Sequence, residues 1–464
     1  MTMRLTTTDP TTEKDVETYE YHDDADLDRL LDRSADRFES WRDRPVTERQ
    51  ALVGSIADVL RENEDEYAEL MTEEMGKPVS QARGEIQKCA WVCEFYAERA
   101  AEFLQDERVG VHPRARTKVS YEPLGPLVAV MPWNYPFWQV LRVAAPTLAA
   151  GNTMLLSHAP NVTGCAKAVE RILDEAGFPE GVFTTLVVDT DAIHDAVADD
   201  RVAAATLTGS VRAGRAVAET AGNNLKPSVL ELGGSDPFVV LADAPLDRAC
   251  EVAAKARVNN NGQACIAAKR FIVHEDVYES FRDGLVREME SLTVGDPADE
   301  DTDVGPIARA DLLDTLETQV RETVDAGATV LTGGEALDRE GYFFEPTVLE
   351  DVPDDAPAAC DELFGPVASL FRVGSEEEAM ELANDTDYGL GASVWTEDLE
   401  RGERLAGEFE AGAAFVNELV QSHPKLPFGG VKNSGYGREL AADGIREFTN
   451  KKTVWVSPAD GLDG

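Results

Sequence analysis

The chain has 464 residues, with 43 Lys and Arg against 88 Asp and Glu and a formal net charge of -45. That length calls for two sizeable domains, and charge of this sign and size disfavours nucleic acid and anionic membrane surfaces as partners. No apolar run reaches the roughly 18 residues that span a bilayer, and the start lacks a basic-then-apolar secretory leader, so a cytoplasmic protein is expected.

In chain order, residues 1–26 are rich in Thr and Asp and are expected to be flexible. From Leu27 to about Gln105 apolar residues recur at helical spacing: Leu27, Leu30, Leu31, Ala35 and Phe38, then Leu52, Ile56, Val59 and Leu60. From Leu124 short apolar runs (127–131, 153–156, 182–188, 203–207 and 229–232) alternate with helical stretches such as 162–176 and 211–223. This texture predicts an α/β, doubly wound parallel sheet of nucleotide-binding type, built from residues 27–104 and 124–233. A second α/β alternation follows over 234–445. Residues 105–123 and 446–464 contain two β-rich pieces that could not form a stable sheet alone, and they are expected to serve in subunit contacts.

The six cysteines lack the spacing of a disulfide framework, so reduced thiols are expected. Cys89 and Cys93 sit in a helix-like stretch with no further Cys or His cluster, which predicts buried packing and no structural metal. Cys265 is different, because it follows a helix end in a segment rich in Asn, Gln and Gly. A lone cysteine is ordinarily a small core residue, but this setting also suits a cleft thiol whose pKa can be lowered. Glu231 ends an apolar strand, where it is either a hydrogen-bonded strand-end carboxylate or a general base with a raised pKa. Asn134, in Pro132–Pro136, is either a turn residue or an amide donor for a developing oxyanion.

Four motifs then fall in order: PWN at 132–134, ELGG at 231–234, GQ-x-C at 262–265 and E-x-FGPV at 362–367. Their order and intervals resemble the aldehyde dehydrogenase superfamily, as do residues 149–152, Thr208–Ser210 with Gly214, and LPFGGVKNSGYGR at 426–438. The resemblance covers about Leu27 to Val456. It implies a Rossmann-like cofactor domain, an α/β catalytic domain and a small β oligomerisation element in a homodimer or homotetramer. Residue by residue, it implies Cys265 as nucleophile, Asn134 and the Cys265 N–H as oxyanion donors, and Glu231 as activator of the hydrolytic water. It also implies Glu362 on the nicotinamide ribose, Trp133, Leu232 and Phe364 beside the cofactor, and Gly209, Ser210 and Gly214 at the pyrophosphate.

The resemblance breaks at the adenosine ribose, where the family's usual Lys and Glu are replaced by Ser157 and Pro160. Loss of both charges implies use of NAD or NADP with a lean to NAD, His158 being the one nearby group able to meet a 2′-phosphate. Trp138, Gln139 and Arg142 share a helix face that lines the substrate tunnel in the family, with Ser422, His423 and, as a further candidate, Lys425 on the opposite wall. Arg142 could pair with a distal carboxylate, or form an interface salt bridge. These residues favour succinate semialdehyde. Asn259, where many succinate-semialdehyde dehydrogenases carry a second Arg, leaves 2-oxoglutarate semialdehyde or a neutral aliphatic aldehyde as alternatives, and an inactive structural or cofactor-binding member as a further one. Only 12 of the 43 basic residues are Lys. This Lys-poor, acid-rich composition resembles that of proteins from salt-accumulating organisms.

Overall fold

The computed structural model describes residues 3–462; positions 1, 2, 463 and 464, at the ends of the expected N-terminal segment and oligomerisation element, lie outside it. The N-terminal segment departs from expectation. Instead of a flexible lead, β1 (Arg4–Thr8) and β2 (Asp15–Glu20) pair antiparallel, and the intervening turn is closed by Asp9, which accepts from Thr11 N and the Thr12 hydroxyl. Alternating Thr, Val and Tyr suit a pleated strand, and the buried Thr7 anchors it.

Four helices follow: α1 (Asp24–Arg42), α2 (Val46–Glu62), α3 (Glu64–Met75) and α4 (Val79–Phe103). A reciprocal Asp23–Asp26 capping box starts α1. Cys89 and Cys93 are buried in α4, and burial raises the pKa of both thiols.

Next come β3 (Glu107–Arg108), β4 (Arg116–Pro123), β5 (Pro126–Met131), α5 (Trp138–Ala150), β6 (Thr153–His158), α6 (Thr163–Glu175), β7 (Phe183–Leu186), α7 (Thr190–Ala198), β8 (Ala204–Thr208), α8 (Val211–Asn223) and β9 (Ser228–Glu231). Strands β9, β8, β5, β6 and β7 lie side by side in parallel. The chain winds outward from β5 through β6 to β7, then returns to place β8 on the other side of β5. Ligand sites gather at the carboxyl ends of strands where the winding reverses, and here those ends lead into Pro132–Asn134 and Gly209–Ser210.

The second unit comprises β10 (Asp236–Val240), α9 (Leu246–Val258), β11 (Ala268–His274), α10 (Tyr278–Glu290), α11 (Ala310–Ala326), β12 (Thr329–Thr332), β13 (Thr347–Glu350), α12 (Pro357–Cys360), β14 (Val367–Val373), α13 (Glu376–Asn384), β15 (Gly391–Trp395), α14 (Leu399–Ala406) and β16 (Ala413–Val416). Its seven strands run in the order β12-β13-β14-β11-β10-β15-β16, parallel except for the antiparallel edge strand β12.

The chain then leaves this sheet well before residue 445. β17 (Gly435–Tyr436) adds antiparallel to β9 as a sixth strand of the first sheet, and α15 (Ala441–Glu447) places Ile445 in the first unit's core. The end of the expected catalytic domain therefore packs with the cofactor-type sheet. Finally β18 (Thr449–Val456) runs antiparallel to β4 over eight register pairs, with β3 on β4's other side, so the two β-rich pieces find each other within one chain.

Candidate active site

Four segments far apart in sequence meet where the two units face each other. Gly262 has a φ of 75°, and any side chain there would run into the Gly365 carbonyl carbon and oxygen at 2.3 Å, so the GQ-x-C and FGP segments touch backbone to backbone. Gly233 is equally constrained, because an added carbon would meet Glu362 Oε2 at 2.3 Å. The glycines of the motifs thus let the segment carrying Cys265, the end of β9 and the Glu362 segment close on one another.

Cys265 follows a tight helical turn, Asn259–Gly262, in which Asn260 and Asn261 both adopt left-handed backbone conformations. Their side chains hold this turn: Asn261 Nδ2 donates to Gly76 O and Pro306 O, and Asn260 Nδ2 donates to Asn134 O and Gln263 O. The Asn134 amide donates to Gln263 O at 2.9 Å, which fixes it beside the cysteine segment and leaves its second N–H available. Beneath it, the buried Glu85 carboxylate accepts from Phe137 N and Trp138 N, both at 2.9 Å, at the start of α5, while forming a fully buried ion pair with Lys77. Nothing in the sequence motifs marks Glu85 or Lys77. They anchor the segment between Asn134 and Trp138.

The thiol differs from the sequence expectation of a lowered pKa. Burial pushes Cys265 up to about 12, against the opposing pull of Arg142 and Lys269. The resting thiol is therefore protonated at neutral pH, and attack requires a proton acceptor. Lys269, buried at the start of β11, donates to the carbonyls of Ala264, Cys265 and Ala267 and lies 3.5 Å from Glu362.

Glu231 ends β9 with both carboxylate oxygens buried and without a hydrogen-bond partner. Burial raises its pKa well above the carboxylate range, and the neighbouring Glu439 adds to this against Arg142 and Arg438. A side chain on Gly429 would reach within 2.6 Å of Glu231 Oε1, so the LPFGG segment forms the wall behind the carboxylate.

On the cofactor side, Ser210 caps α8 by accepting from Ala213 N, and Gly214 packs so tightly on Leu232 that an added carbon would lie 2.5 Å from it. The start of α8 thereby sits close against β9. Trp133 and Phe364 meet edge to face at 5.6 Å, and Glu362 accepts from Gly234 N at 3.1 Å. Free N–H groups opening α8, an edge of aromatic rings and the half-buried Glu362 carboxylate form a cradle that fits a nicotinamide dinucleotide. When bound, that group supplies the hydride acceptor.

At the adenosine end, Ser157 is buried, and its hydroxyl has no hydrogen-bond partner among the described residues. His158 is not the free partner the sequence suggests. Its Nε2 lies 2.9 Å from Pro136 O, its Nδ1 accepts from Ala159 N, and burial pushes its pKa down to about 4. Both ring nitrogens are engaged and the ring is neutral.

The substrate candidates are only partly brought together. Trp138, Gln139 and Arg142 are buried on α5, but the Arg142 guanidinium is already balanced. It pairs with Glu439 at 2.5 Å, reaches Thr208 Oγ1 at 3.3 Å and stacks over Phe428. The interface ion pair is thus present, formed through Nε, while the guanidinium retains further N–H donors that can face a substrate carboxylate. Asn259 donates to the Tyr135 hydroxyl. Ser422 accepts from Lys88 Nζ at 2.8 Å, and His423 packs edge to face on Trp91 at 4.5 Å.

With this geometry in view, the sequence profile of the aldehyde dehydrogenase family matches residues 2–454, and the chain belongs to that family. It is an NAD(P)-dependent enzyme of aldehyde oxidation. More particularly, it is 49% identical over 455 residues to a probable NADP(+) succinate-semialdehyde dehydrogenase of Synechocystis sp., covering 98% of this chain and all of the relative. It is 47% identical over 462 residues to the NADP(+) succinate-semialdehyde dehydrogenase 1 of Mycobacterium tuberculosis, again covering 98% and 100%. The solved structure of succinic semialdehyde dehydrogenase from Streptococcus pyogenes with NADP+ superposes with a TM-score of 0.96 at 37% identity, covering 98% of this chain and 100% of that one. These relatives are named for NADP, which does not favour the expected lean to NAD. No helix among the described residues is long and apolar enough to cross a membrane.

Proposed function

We propose that this enzyme oxidises succinate semialdehyde to succinate, preferentially with NADP. The observation that carries the reaction is the convergence of Cys265, the Asn134 amide and the unpartnered Glu231 carboxylate on the cradle formed with Glu362. The Cys265 sulfur attacks the aldehyde carbon as its proton passes to water, and the free N–H of Asn134 with the Cys265 N–H receives the oxyanion. Once the hydride has left, a thioester joins the acyl group to Cys265. Glu231, a raised-pKa base in a buried wall, takes a proton from water for its hydrolysis.

The full-length relatives named above support the substrate, and their names support NADP. Physical chemistry points the same way, since Pro160 carries no charge to repel a 2′-phosphate and the Ser157 hydroxyl is free to donate to one. A neutral aliphatic aldehyde is the second reading, and it draws on the compensation of Arg142 by Glu439.

The test measures kcat/KM for succinate semialdehyde, 2-oxoglutarate semialdehyde and butanal with each cofactor in molar KCl. Succinate semialdehyde with NADP should give the highest value, and Cys265→Ala should give none. Faster turnover of butanal would overturn the substrate, and a preference for NAD would overturn the cofactor.

A further inference from the structure

We infer that Lys269 is a positioning residue for the oxyanion-binding N–H of Cys265, a role that rests on the reading of Cys265 as nucleophile. Its placement comes from an irregularity in the second sheet. Asp236 of β10 pairs with Ala268 of β11, but the next residue, Pro237, pairs with Arg270, so Lys269 is the extra residue of a bulge and has no partner on β10. Pairing of β11 with β14 begins only at Arg270. An insertion of this kind re-aims a side chain. Here it turns the buried ammonium back over the loop that leads from Cys265 into β11.

The Nζ donates to Cys265 O at 2.8 Å, Ala267 O at 3.1 Å and Ala264 O at 3.2 Å. Three acceptors match the three N–H groups of an ammonium. Ala264 O and Cys265 O belong to the two peptide groups on either side of the Cys265 Cα, so one cation pins both planes and with them the backbone angles of the nucleophile. The Ala264 carbonyl also shares its peptide group with the Cys265 N–H. In a planar trans peptide these two groups point opposite ways, so an ammonium on the oxygen directs the N–H away from itself. That N–H has no partner among the described residues. A cation on the carbonyl further polarises the peptide and makes its N–H a stronger donor. Gly234 closes off Cys265 O, since an added carbon there would lie 2.9 Å from it.

Charge balance alone does not account for this arrangement. A counter-ion to Glu362 would give its N–H groups to that carboxylate, whereas Lys269 gives them to the loop of the thiol and leaves Glu362 at 3.5 Å. Burial lowers its pKa, and Glu362 is the main group opposing this. The Asn134 amide is held separately, by Gln263 O, so loss of Lys269 degrades one of the two oxyanion donors and spares the other.

The experiment compares wild type, Lys269→Met and Lys269→Gln in the full-length chain without cofactor, using two reagents on the same thiol. 4-Nitrophenyl acetate acylates Cys265 through a tetrahedral oxyanion and releases 4-nitrophenolate, read as a burst. Iodoacetamide alkylates the same sulfur by displacing iodide, forms no oxyanion, and is followed on the Cys265 peptide by mass spectrometry. Dividing the burst rate by the alkylation rate cancels any change in thiolate population. This quotient should fall roughly 10- to 100-fold in Lys269→Met and roughly 3- to 30-fold in Lys269→Gln, which keeps one neutral donor group. The ester concentration giving half the maximal burst rate should stay within about threefold, because the lost interaction belongs to the transition state. Circular dichroism shows which variants are folded, and Lys269→Gln carries the test where Lys269→Met is not. A fall of less than about threefold in a folded variant, whether both rates hold or both drop together, overturns the inference and leaves the nucleophile reading standing. A burst that survives in Cys265→Ala removes that reading, and this inference with it.

Discussion

Replacing Glu231 with Gln separates hydride transfer from hydrolysis. Neither oxygen of this buried carboxylate has a hydrogen-bond partner, so the near-isosteric change breaks no bond in the resting protein. The loss is then that of a general base, worth about 10²- to 10⁴-fold, or roughly 2.7 to 5.4 kcal/mol at 1.36 kcal/mol per decade. Since hydrolysis follows hydride transfer, rapid mixing with succinate semialdehyde and NADP should give a burst of about one NADPH per enzyme chain, and steady-state turnover should fall by that factor. The pH profile adds a second reading. A base whose pKa is raised by burial and by Glu439 is protonated at low pH, so wild-type turnover should climb with pH above the usual carboxylate range, and Glu231→Gln should lack that limb. Full steady-state turnover in Glu231→Gln would refute the assignment. A missing burst in a folded variant would do the same, by placing Glu231 before the hydride step.

Arg142→Met leaves Glu439 as an uncompensated buried charge and should cost about 3 to 5 kcal/mol, with Arg142→Met/Glu439→Leu recovering most of it in denaturant melts at fixed salt. An unaltered midpoint in the single variant would contradict the pairing. With a net charge of -45, the melting temperature should rise steeply from about 0.1 M to molar KCl as the Debye length shrinks from about 10 to 3 Å, and a flat curve would remove the salt-adapted reading. His158 should make the fold acid-sensitive. Its folded pKa of about 4 lies below its ordinary 6.5, so the unfolded chain takes up the proton first and stability is lost as pH falls between these values, by up to about 3 kcal/mol. His158→Gln should therefore lose less melting temperature than wild type over that window, and equal losses would refute the point. Ser157→Lys should improve kcat/KM for NADP more than for NAD, an equal gain for both contradicting a 2′-phosphate at this position.

Sequence reading succeeded where chemistry is local. Strand ends carrying Pro132–Asn134, Gly209–Ser210 and Glu231 fall at the carboxyl edge of the first sheet because short apolar runs bounded by glycines specify both the strand and its exit. It failed where a partner comes from far along the chain. Arg142 has the spacing of a tunnel residue, but nothing near it announces that Glu439 will pair with it. Glu85 sits in a helix without a motif, and only the docking of α4 on α5 gives it the amides of Phe137 and Trp138. The N-terminal hairpin was hidden for a different reason. Its Thr-rich composition resembles a polar tail, while the strand signal lies in β-branched alternation and in the Asp9 turn.

The sixth strand of the first sheet bears on how the enzyme comes into being at the ribosome. Ser434 Oγ donates to Gly233 O across 201 residues, and Tyr436 meets Ser228 across 208. Until residues 424–448 have emerged, β9 is an open edge, and the Glu231 carboxylate lacks the wall of Gly429 and the charges of Arg438 and Glu439. A nascent chain can therefore complete both α/β sheets' other strands and still carry an unfinished hydrolytic site, with closure waiting on contacts of very high sequence separation. The thiol is made early and its partner is finished last, so activity should appear in a translation time course only with release of nearly the whole polypeptide.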